Sequence, residues 1–497
     1  MISKELKFLL THSSIYGLGT VVSRMVAFIL LPLYTRYLTP ADYGLLEAID
    51  ISTAVIGIVV TVGIAMALSR FYYESEEMEQ RNRVVSTTYV TYSIIAVFCL
   101  PLLFYLSSPL SQVLFDTQDY SSFFRISFGS LLLGGIIDIG VMYLRLIKKP
   151  LVFITVTTSR LTLLIVLNII FIVFFKMGVL GILYSSLIVK AFYAVLITAP
   201  ILWKTKVRVS MKLSLAMLKY SLPIIPSRLA NTIVKQSDKY FVLYFISIAD
   251  MGIYGLALKL GNAVHNLLTI PFNMAYIPRR FEIMKNHEAK EIYSKVFTYY
   301  IFVMVYVGLA ISLLIPEILQ LMVTPKFFPA GKFVPLVVFS MIIFGCHYHF
   351  NFGILYSKKT KYLAYIDLSS ASVSLVLNIF LIRAYGLWGA VYSSVIALTF
   401  QALLLYYVSN RLYRIEFEFG RLFSYLLTAG TFCFLIRQIK VDMLALDVAI
   451  KVLFLMLFPL FLILLRIISS EETRELRSFF ARRLKPLLFK DKAFRTS

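Results

Sequence analysis

The sequence predicts an all-α polytopic membrane protein of about fourteen transmembrane helices, built as two parallel-repeat six-helix lobes plus a C-terminal helix pair. Three observations predict it: an apolar composition, a regular series of apolar segments, and an internal echo. Of 497 residues, 59% are hydrophobic and 15% charged, whereas soluble domains average about half apolar and about a quarter charged. Mean hydropathy is +0.82.

Runs of about 20 apolar residues mark the spans. They lie near 12–37, 43–69, 84–107, 122–145, 151–175, 178–203, 219–245, 250–278, 293–315, 333–356, 361–383, 387–410, 421–437 and 444–466. The first follows Lys4 and Lys7 and is too long for the apolar region of a cleaved signal peptide, so it is expected to insert as a helix. Most of the 49 Lys and Arg residues fall in the N-terminus, the even-to-odd connections and the C-terminal tail, for example Lys148, Lys149, Lys204, Lys206, Arg279, Arg280, Lys358 and Lys359. By the positive-inside rule both termini are expected in the cytoplasm. The net charge of +23 thus reads as topology, and no nucleic-acid partner is expected.

The echo appears in YGLWGAVYSS at Tyr385 and MGVLGILYSS at Met177, about 208 positions apart. RLIKKP at Arg145 matches LYSKKT at Leu355, VLNIIFI at Val166 matches VLNIFLI at Val376, and ADYG at Ala41 matches ADMG at Ala249. Six spans per repeat is an even number, so both copies enter the membrane from the same side, the arrangement of transporters whose two bundles rock about a central site. The predicted units are residues 1–210 and 211–415 for the two lobes, 416–468 for the added helix pair, and 469–497 for a basic cytoplasmic tail suited to the anionic inner leaflet. Gly178, Gly181, Gly386 and Gly389 are expected to permit close helix contact.

Ionisable residues within spans cost about 2.5 kcal/mol or more unless they face protein or water. In the seventh span Arg228, Asn231, Lys235 and Asp238 recur at spacings of three and four, one helical face. In the eighth, Lys259, Asn262, Asn266 and Asn273 continue a second stripe. Two such stripes on consecutive helices imply a wet cavity, to which the first span adds Arg24 and the second Glu47 and Asp50. Pro223, Pro226 and Pro271 interrupt these same spans and are hinge candidates. Cations predominate, so an anion is expected, with arginine suited to phosphate and asparagines to sugar hydroxyls. The substrate-binding candidates are therefore Arg24, Arg228, Asn231, Lys235, Lys259, Asn262, Asn266 and Asn273; Asp238, Glu47, Asp50 and Asp138 are candidate carriers of a coupling ion. Cys99, Cys346 and Cys433 all lie in spans without ligand spacing, and neither a metal nor a cofactor is expected.

LPLYTRYLTPADYGLLEA at Leu31, SDKYFVLYF at Ser237 and YGLWGAVYSS at Tyr385 resemble the polysaccharide repeat-unit flippases of the Wzx type, in the multidrug/oligosaccharidyl-lipid/polysaccharide exporter superfamily. The resemblance covers essentially the whole chain. It implies a bacterial inner-membrane protein that moves an undecaprenyl-pyrophosphate-linked oligosaccharide between leaflets by ion-coupled alternating access, for O-antigen, capsule or exopolysaccharide assembly. Polymerases and glycosyltransferases of that pathway would be its protein partners. Lipid II flippases of the same superfamily are similar in span number and in basic positions matched by Arg24 and Lys259, but the second span here carries Glu47 and Asp50 and no central arginine. A multidrug cation antiporter is the rival within the superfamily. From another class, a membrane glycosyltransferase or polymerase would need a larger loop bearing paired carboxylates than the connections near 108–121 and 316–332 provide. No Walker motif indicates an ATPase, and no enzymatic activity is expected.

Overall fold

The structure is a computed structural model and describes residues 30–439 and 443–467. Arg24 and the 469–497 tail lie outside the described residues. Among those described there is no strand. The first helix, α1, is described over residues 30–37, and then the chain runs through α2 (Pro40–Val60), α3 (Ile64–Glu74), α4 (Met78–Phe115), α5 (Ser121–Leu146), α6 (Pro150–Ile169) and α7 (Gly178–Thr205). The second repeat comprises α8 (Met211–Ser221), α9 (Ile225–Phe245), α10 (Ile248–Gly261), α11 (Ile270–Glu282), α12 (Ala289–Met322), α13 (Val334–Phe350), α14 (Phe352–Tyr356), α15 (Lys361–Tyr385) and α16 (Leu387–Leu412). The final pair is α17 (Phe419–Gln438) and α18 (Leu444–Leu464).

Each echo in the sequence has a backbone cause. Thr39 and Ser247, at equivalent places, cap α2 and α10, each accepting from the backbone N–H of an acid three residues on, Asp42 or Asp250. At Thr39 the Asp42 side chain bonds back to the cap N–H, completing a reciprocal box. Lys148 and Lys358 both adopt left-handed backbone, φ 52° and 57°, ending their helices. The following lysines, Lys149 and Lys359, donate their N–H groups back to Leu144 and Ile354, both at 3.1 Å, the six-to-one closure of a helix C-terminus. Gly178 and Gly386 have φ 55° and 58°, and they turn the chain into α7 and α16. A Cβ on Gly389 would lie 1.9 Å from the Leu381 carbonyl oxygen; on Gly181, one would lie 3.0 Å from Phe171 Cβ. These glycines let the fifth and sixth, and eleventh and twelfth, spans meet tightly.

Eleven described helices are long and apolar enough to cross a membrane. The expected seventh and eighth spans are not among them. The seventh is broken at Leu222–Ile224, a short 3-10 turn holding Pro223, before α9 begins with Pro226 in its first turn. The eighth is broken by a π-turn, His265–Thr269, between α10 and α11, with Pro271 opening α11. All three hinge candidates thus sit at helix junctions rather than mid-helix. The second span breaks at the equivalent place, where Val62 and Gly63 are left-handed, φ 49° and 62°.

The two repeats meet chiefly along α2, which runs against α10 and α9. The contact between α2 and α10 is backbone to backbone: a Cβ on Gly44 would fall 1.9 Å from Ile248 O, and one on Gly252 would fall 2.0 Å from Pro40 O. Thr35 donates to Met322 O at 3.3 Å and accepts at its own carbonyl from Thr324 at 2.9 Å, which ties α1 to the end of α12. The seam is therefore shut at the end of the bundle that carries the turn before α2 and the turn before α10.

Helices α17 and α18 pack on α12 through rings, Phe302 on Tyr425 of α17 at 5.6 Å and on Phe458 of α18 at 6.4 Å. Lys451 of α18 is bonded to both Glu317 of α12 and Asp447. The added pair is thus fixed to the second repeat by apolar area and one ion triad.

Candidate functional site

Helix α9 borders the seam and carries Arg228, Lys235, Asp238 and Lys239 within its 21 residues. Arg228, Asn231, Thr232 and Lys235 line one wall of a cavity of about 500 Å³, and Ala54, Gly57, Ile58 and Thr61 of α2 with Leu131 of α5 line the other. One repeat supplies the cations and the other a small-residue wall. No carboxylate is among the lining residues. Arg228 is exposed to this space, and a Cβ on Gly63 would stand 3.8 Å from its guanidinium. Among the described residues its side chain makes no hydrogen bond or ion pair. Lys235 stands over the Phe344 ring at 4.6 Å, a cation–π contact that leaves its N–H groups available. Asn231 donates to Asp367 at 3.2 Å, and Gln401 donates to the other oxygen of the same carboxylate at 2.9 Å. Asp367 is oriented by amides, so it does not cancel either cation by direct pairing.

One turn beyond Lys235, the character of α9 changes. Lys239 crosses the seam to Glu47 of α2 at 2.8 Å, with side chains only 10% and 15% exposed. Lys259 of α10 donates to Tyr43 of α2 at 2.9 Å, and Ser52 shares a hydrogen bond with Tyr240 at 3.0 Å. Here the repeats are joined by polar bonds, where around Arg228 they stand apart.

A third polar region explains the remaining echo. Asn168 and Asn378, equivalent in the two VLN motifs, are both fully buried. Asn378 donates to Ser237 at 3.1 Å. Beside it the buried Asp238 accepts from Tyr254 at 2.5 Å, from Ser394 at 3.2 Å and from the Lys239 N–H at 2.9 Å. In the first repeat the counterpart of Ser394 is Ser186, which bonds Ser130 at 3.1 Å. There the space is a cavity of about 330 Å³ that Asn168, Ser186, Asp50, Glu47, Thr53, Lys190 and Lys259 help to line. Both side-chain atoms of Asn168, and the hydroxyl of Thr53, are buried without a hydrogen-bond partner among the described residues. The repeated signature thus builds one filled polar site and one open one.

The structure therefore divides the residues that helical spacing grouped together. Arg228, Asn231 and Lys235 share the seam cavity. Lys259 does not; it faces Tyr43 and the first-repeat cavity. Asn262 caps α10, Asn266 lies in the π-turn, and Asn273 is buried in α11. The π-turn adds a residue per turn and breaks the 3.6-residue period on which the second stripe depended. Asp238 turns inward to Tyr254, and Glu47 bonds Lys239. Asp50 lines the first-repeat cavity, whereas Asp138 is exposed on α5 within electrostatic reach of Arg160 and Lys190. Lys239, Asp367, Gln401, Tyr43 and Tyr254 were missed. An aspartate in the second turn of α15, inside the eleventh apolar span, was the one signal that could have revealed Asp367.

Residues 9–284 match the profile of the family described as polysaccharide biosynthesis protein. No curated protein matches the sequence. Among solved structures, the lipid II flippase MurJ in an inward closed conformation aligns with TM-score 0.73 at 15% identity, covering 91% of this chain and 99% of that one. An inward-facing multidrug resistance MATE family transporter of the MOP superfamily aligns with TM-score 0.64 at 12% identity, covering 83% and 99%. A MOP superfamily transporter from Pyrococcus furiosus, described as having a binding pocket of reverse polarity, aligns with TM-score 0.59 at 14% identity, covering 82% and 95%. The fold is that of these polytopic transporters.

Proposed function

Because the chain belongs to the polysaccharide biosynthesis protein family, we propose that it is a flippase for undecaprenyl-pyrophosphate-linked oligosaccharide repeat units. It would act in the bacterial inner membrane, with both termini cytoplasmic, in assembly of O-antigen, capsule or exopolysaccharide. The observation that carries this reading is the seam cavity, where Arg228 and Lys235 face open space with no lining carboxylate. An unneutralised cation at membrane depth costs about 2.5–3.5 kcal/mol on insertion scales, and a phosphate group offsets that cost through charge-assisted hydrogen bonds. Asn231 and Thr232 add donors and acceptors suited to sugar hydroxyls.

In this reading residues 1–210 and 211–415 rock about the seam, bending at Pro223, Pro226 and Pro271, and the present form is shut toward the periplasm. Arg24 belongs to the part of the first span that would complete the site. Asp238 is the preferred carrier of the coupling ion, since its carboxylate is buried in a cage of donors; Asp50 and Asp138 are the alternatives. Polymerases or glycosyltransferases of the same pathway are the protein partners. Lipid II is a less suitable cargo because Glu47 and Asp50 stand in the second span. A multidrug cation antiporter requires the opposite cavity charge.

The test uses proteoliposomes containing the purified protein and a labelled undecaprenyl-pyrophosphate oligosaccharide, with leaflet exposure followed under imposed proton and sodium gradients. Protein-dependent translocation that is lost in Arg228→Ala supports the reading. Exchange of an organic cation with no lipid movement replaces it with the antiporter.

A further inference from the structure

Charge runs along α9 as a ladder. Arg228, Lys235 and Lys239 are separated by seven and four residues, so they share a face, and the last lies roughly 16 Å along the helix from the first at 1.5 Å per residue. The first two rungs are open to the seam cavity and the third is closed off by Glu47. Beside it Lys259 is held by Tyr43, one turn before Glu47 on the same face of α2. Each lysine also lies within electrostatic reach of the other's partner. Counting the charges that face this region from α2, α7, α9 and α10, three lysines (Lys190, Lys239 and Lys259) meet three carboxylates (Glu47, Asp50 and Asp238), the last accepting from the Lys239 backbone N–H and from Tyr254. Lys239 meets a carboxylate, whereas Lys259 meets a neutral hydroxyl.

We propose that Lys239 and Lys259 form a second anion site, masked in this conformation by Glu47 and Tyr43, which a lipid-borne pyrophosphate enters by displacing Glu47, so that the cargo itself unlocks the seam. The inference rests on the flippase reading for the identity of the anion. Its physical basis is that all the bonds involved cross between repeats: Lys239 to Glu47, Lys259 to Tyr43 and Ser52 to Tyr240 must part before this end can open. Opened empty, the seam would leave Lys239 and Glu47 as separated, poorly solvated charges, which is strongly unfavourable. A pyrophosphate brings more than one negative charge and several acceptor oxygens to the two lysines, where Glu47 brings one charge. Opening without cargo is therefore opposed and opening with cargo is not. After release, Glu47 returns to Lys239 and closes the end again.

Ser52 provides the readout, since it is 4% exposed and bonded across the seam to Tyr240. Ser52→Cys is made in full-length protein whose native Cys99, Cys346 and Cys433 are replaced by serine. Its reaction with a water-soluble maleimide is timed in nanodiscs with undecaprenyl pyrophosphate, with undecaprenol or with neither. Undecaprenyl pyrophosphate, but not undecaprenol, should speed labelling about tenfold, the ratio that about 1.4 kcal/mol produces. Glu47→Gln should speed it without any lipid. Lys239→Gln should abolish the lipid response and Lys239→Arg retain it, while Gln118→Cys, made separately in the same cysteine-free background in the exposed connection before α5, confirms that each variant is folded and equally reactive outside the seam. An undiminished response in both Lys239→Gln and Lys259→Gln overturns the proposal, as does an equal response to undecaprenol. If oligosaccharide is flipped yet pyrophosphate never alters Ser52 labelling, the masked site is wrong and the flippase reading stands. If labelling responds but no oligosaccharide moves, the masked site stands and the cargo assignment fails.

Discussion

Gly44 and Gly252 occupy the same place in the two repeats and lie against each other across the seam, each where the other helix's backbone leaves no room for a methyl group. The nearest atoms, Ile248 O and Pro40 O, are themselves repeat equivalents, so the internal symmetry axis passes between them. Gly44→Ala or Gly252→Ala is expected to prevent closure at this end. Flipping in proteoliposomes should be lost, and maleimide labelling of Ser52→Cys should rise in both, even though the sites are remote from Arg228. Normal transport with slow labelling would mean that the helices can separate here at no cost.

Arg228 and Lys235 are expected to act on transport and not on folding. Arg228→Ala or Lys235→Ala should abolish flipping while membrane abundance stays near normal, because neither side chain is tied into an ion pair. Arg228→Lys should retain less than half the rate, since a point charge replaces a fork that grips two phosphate oxygens. Quantifying flipping and abundance on the same membranes checks this; abundance falling in step with activity would identify the pair as structural.

Lys451 is expected to show the opposite pattern. It satisfies Glu317 and Asp447 at once, and Lys451→Met leaves both carboxylates without a cation in a largely buried place. Removing one partner of a buried pair costs about 3–5 kcal/mol; Asp447 retains 22% exposure, so about 2 kcal/mol is expected here. Thermal unfolding of the purified protein measures it, and the combination Lys451→Met with Glu317→Gln and Asp447→Asn should recover most of the loss.

Asp238 is expected to govern the response to an ion gradient. Asp238→Asn keeps the shape of the cage around Tyr254 and Ser394 but removes its charge. Translocation should then proceed at the same rate with or without an imposed proton or sodium gradient. A gradient response that survives intact moves the coupling role to Asp50 or Asp138, which Asp50→Asn and Asp138→Asn separate.

The architecture was legible because its causes are local. Apolar run length marks spans, and the doubled motifs encode helix caps, left-handed turns and glycine contacts that depend on near neighbours in the chain. The cavity on α9 was legible for the same reason, since that helix is regular from Ile225 onward. The stripe on the eighth span was not, because the π-turn at His265–Thr269 shifts the face presented by everything after it. Nor does a helical period reveal a partner: a lysine and a glutamate in two separate spans say nothing of the bond that Lys239 makes to Glu47, 192 positions away. Asp367 stood alone in an apolar span, without a stripe to draw attention to it.

The polarity of α9 and of the broken α10–α11 segment bears on how the chain is made. By length and composition neither is among the described helices able to cross a bilayer, so each is expected to need a protein partner to settle in the membrane. The neighbouring spans on both sides are among those helices. The second half of the molecule therefore begins with two segments that must wait, still shielded from lipid, until α2 is available to receive Lys239 and Lys259. Synthesis order supplies that helix first. A chain with its halves exchanged would contain every contact described and still lack a host for its earliest cations, so biogenesis is directional although the fold is nearly symmetric.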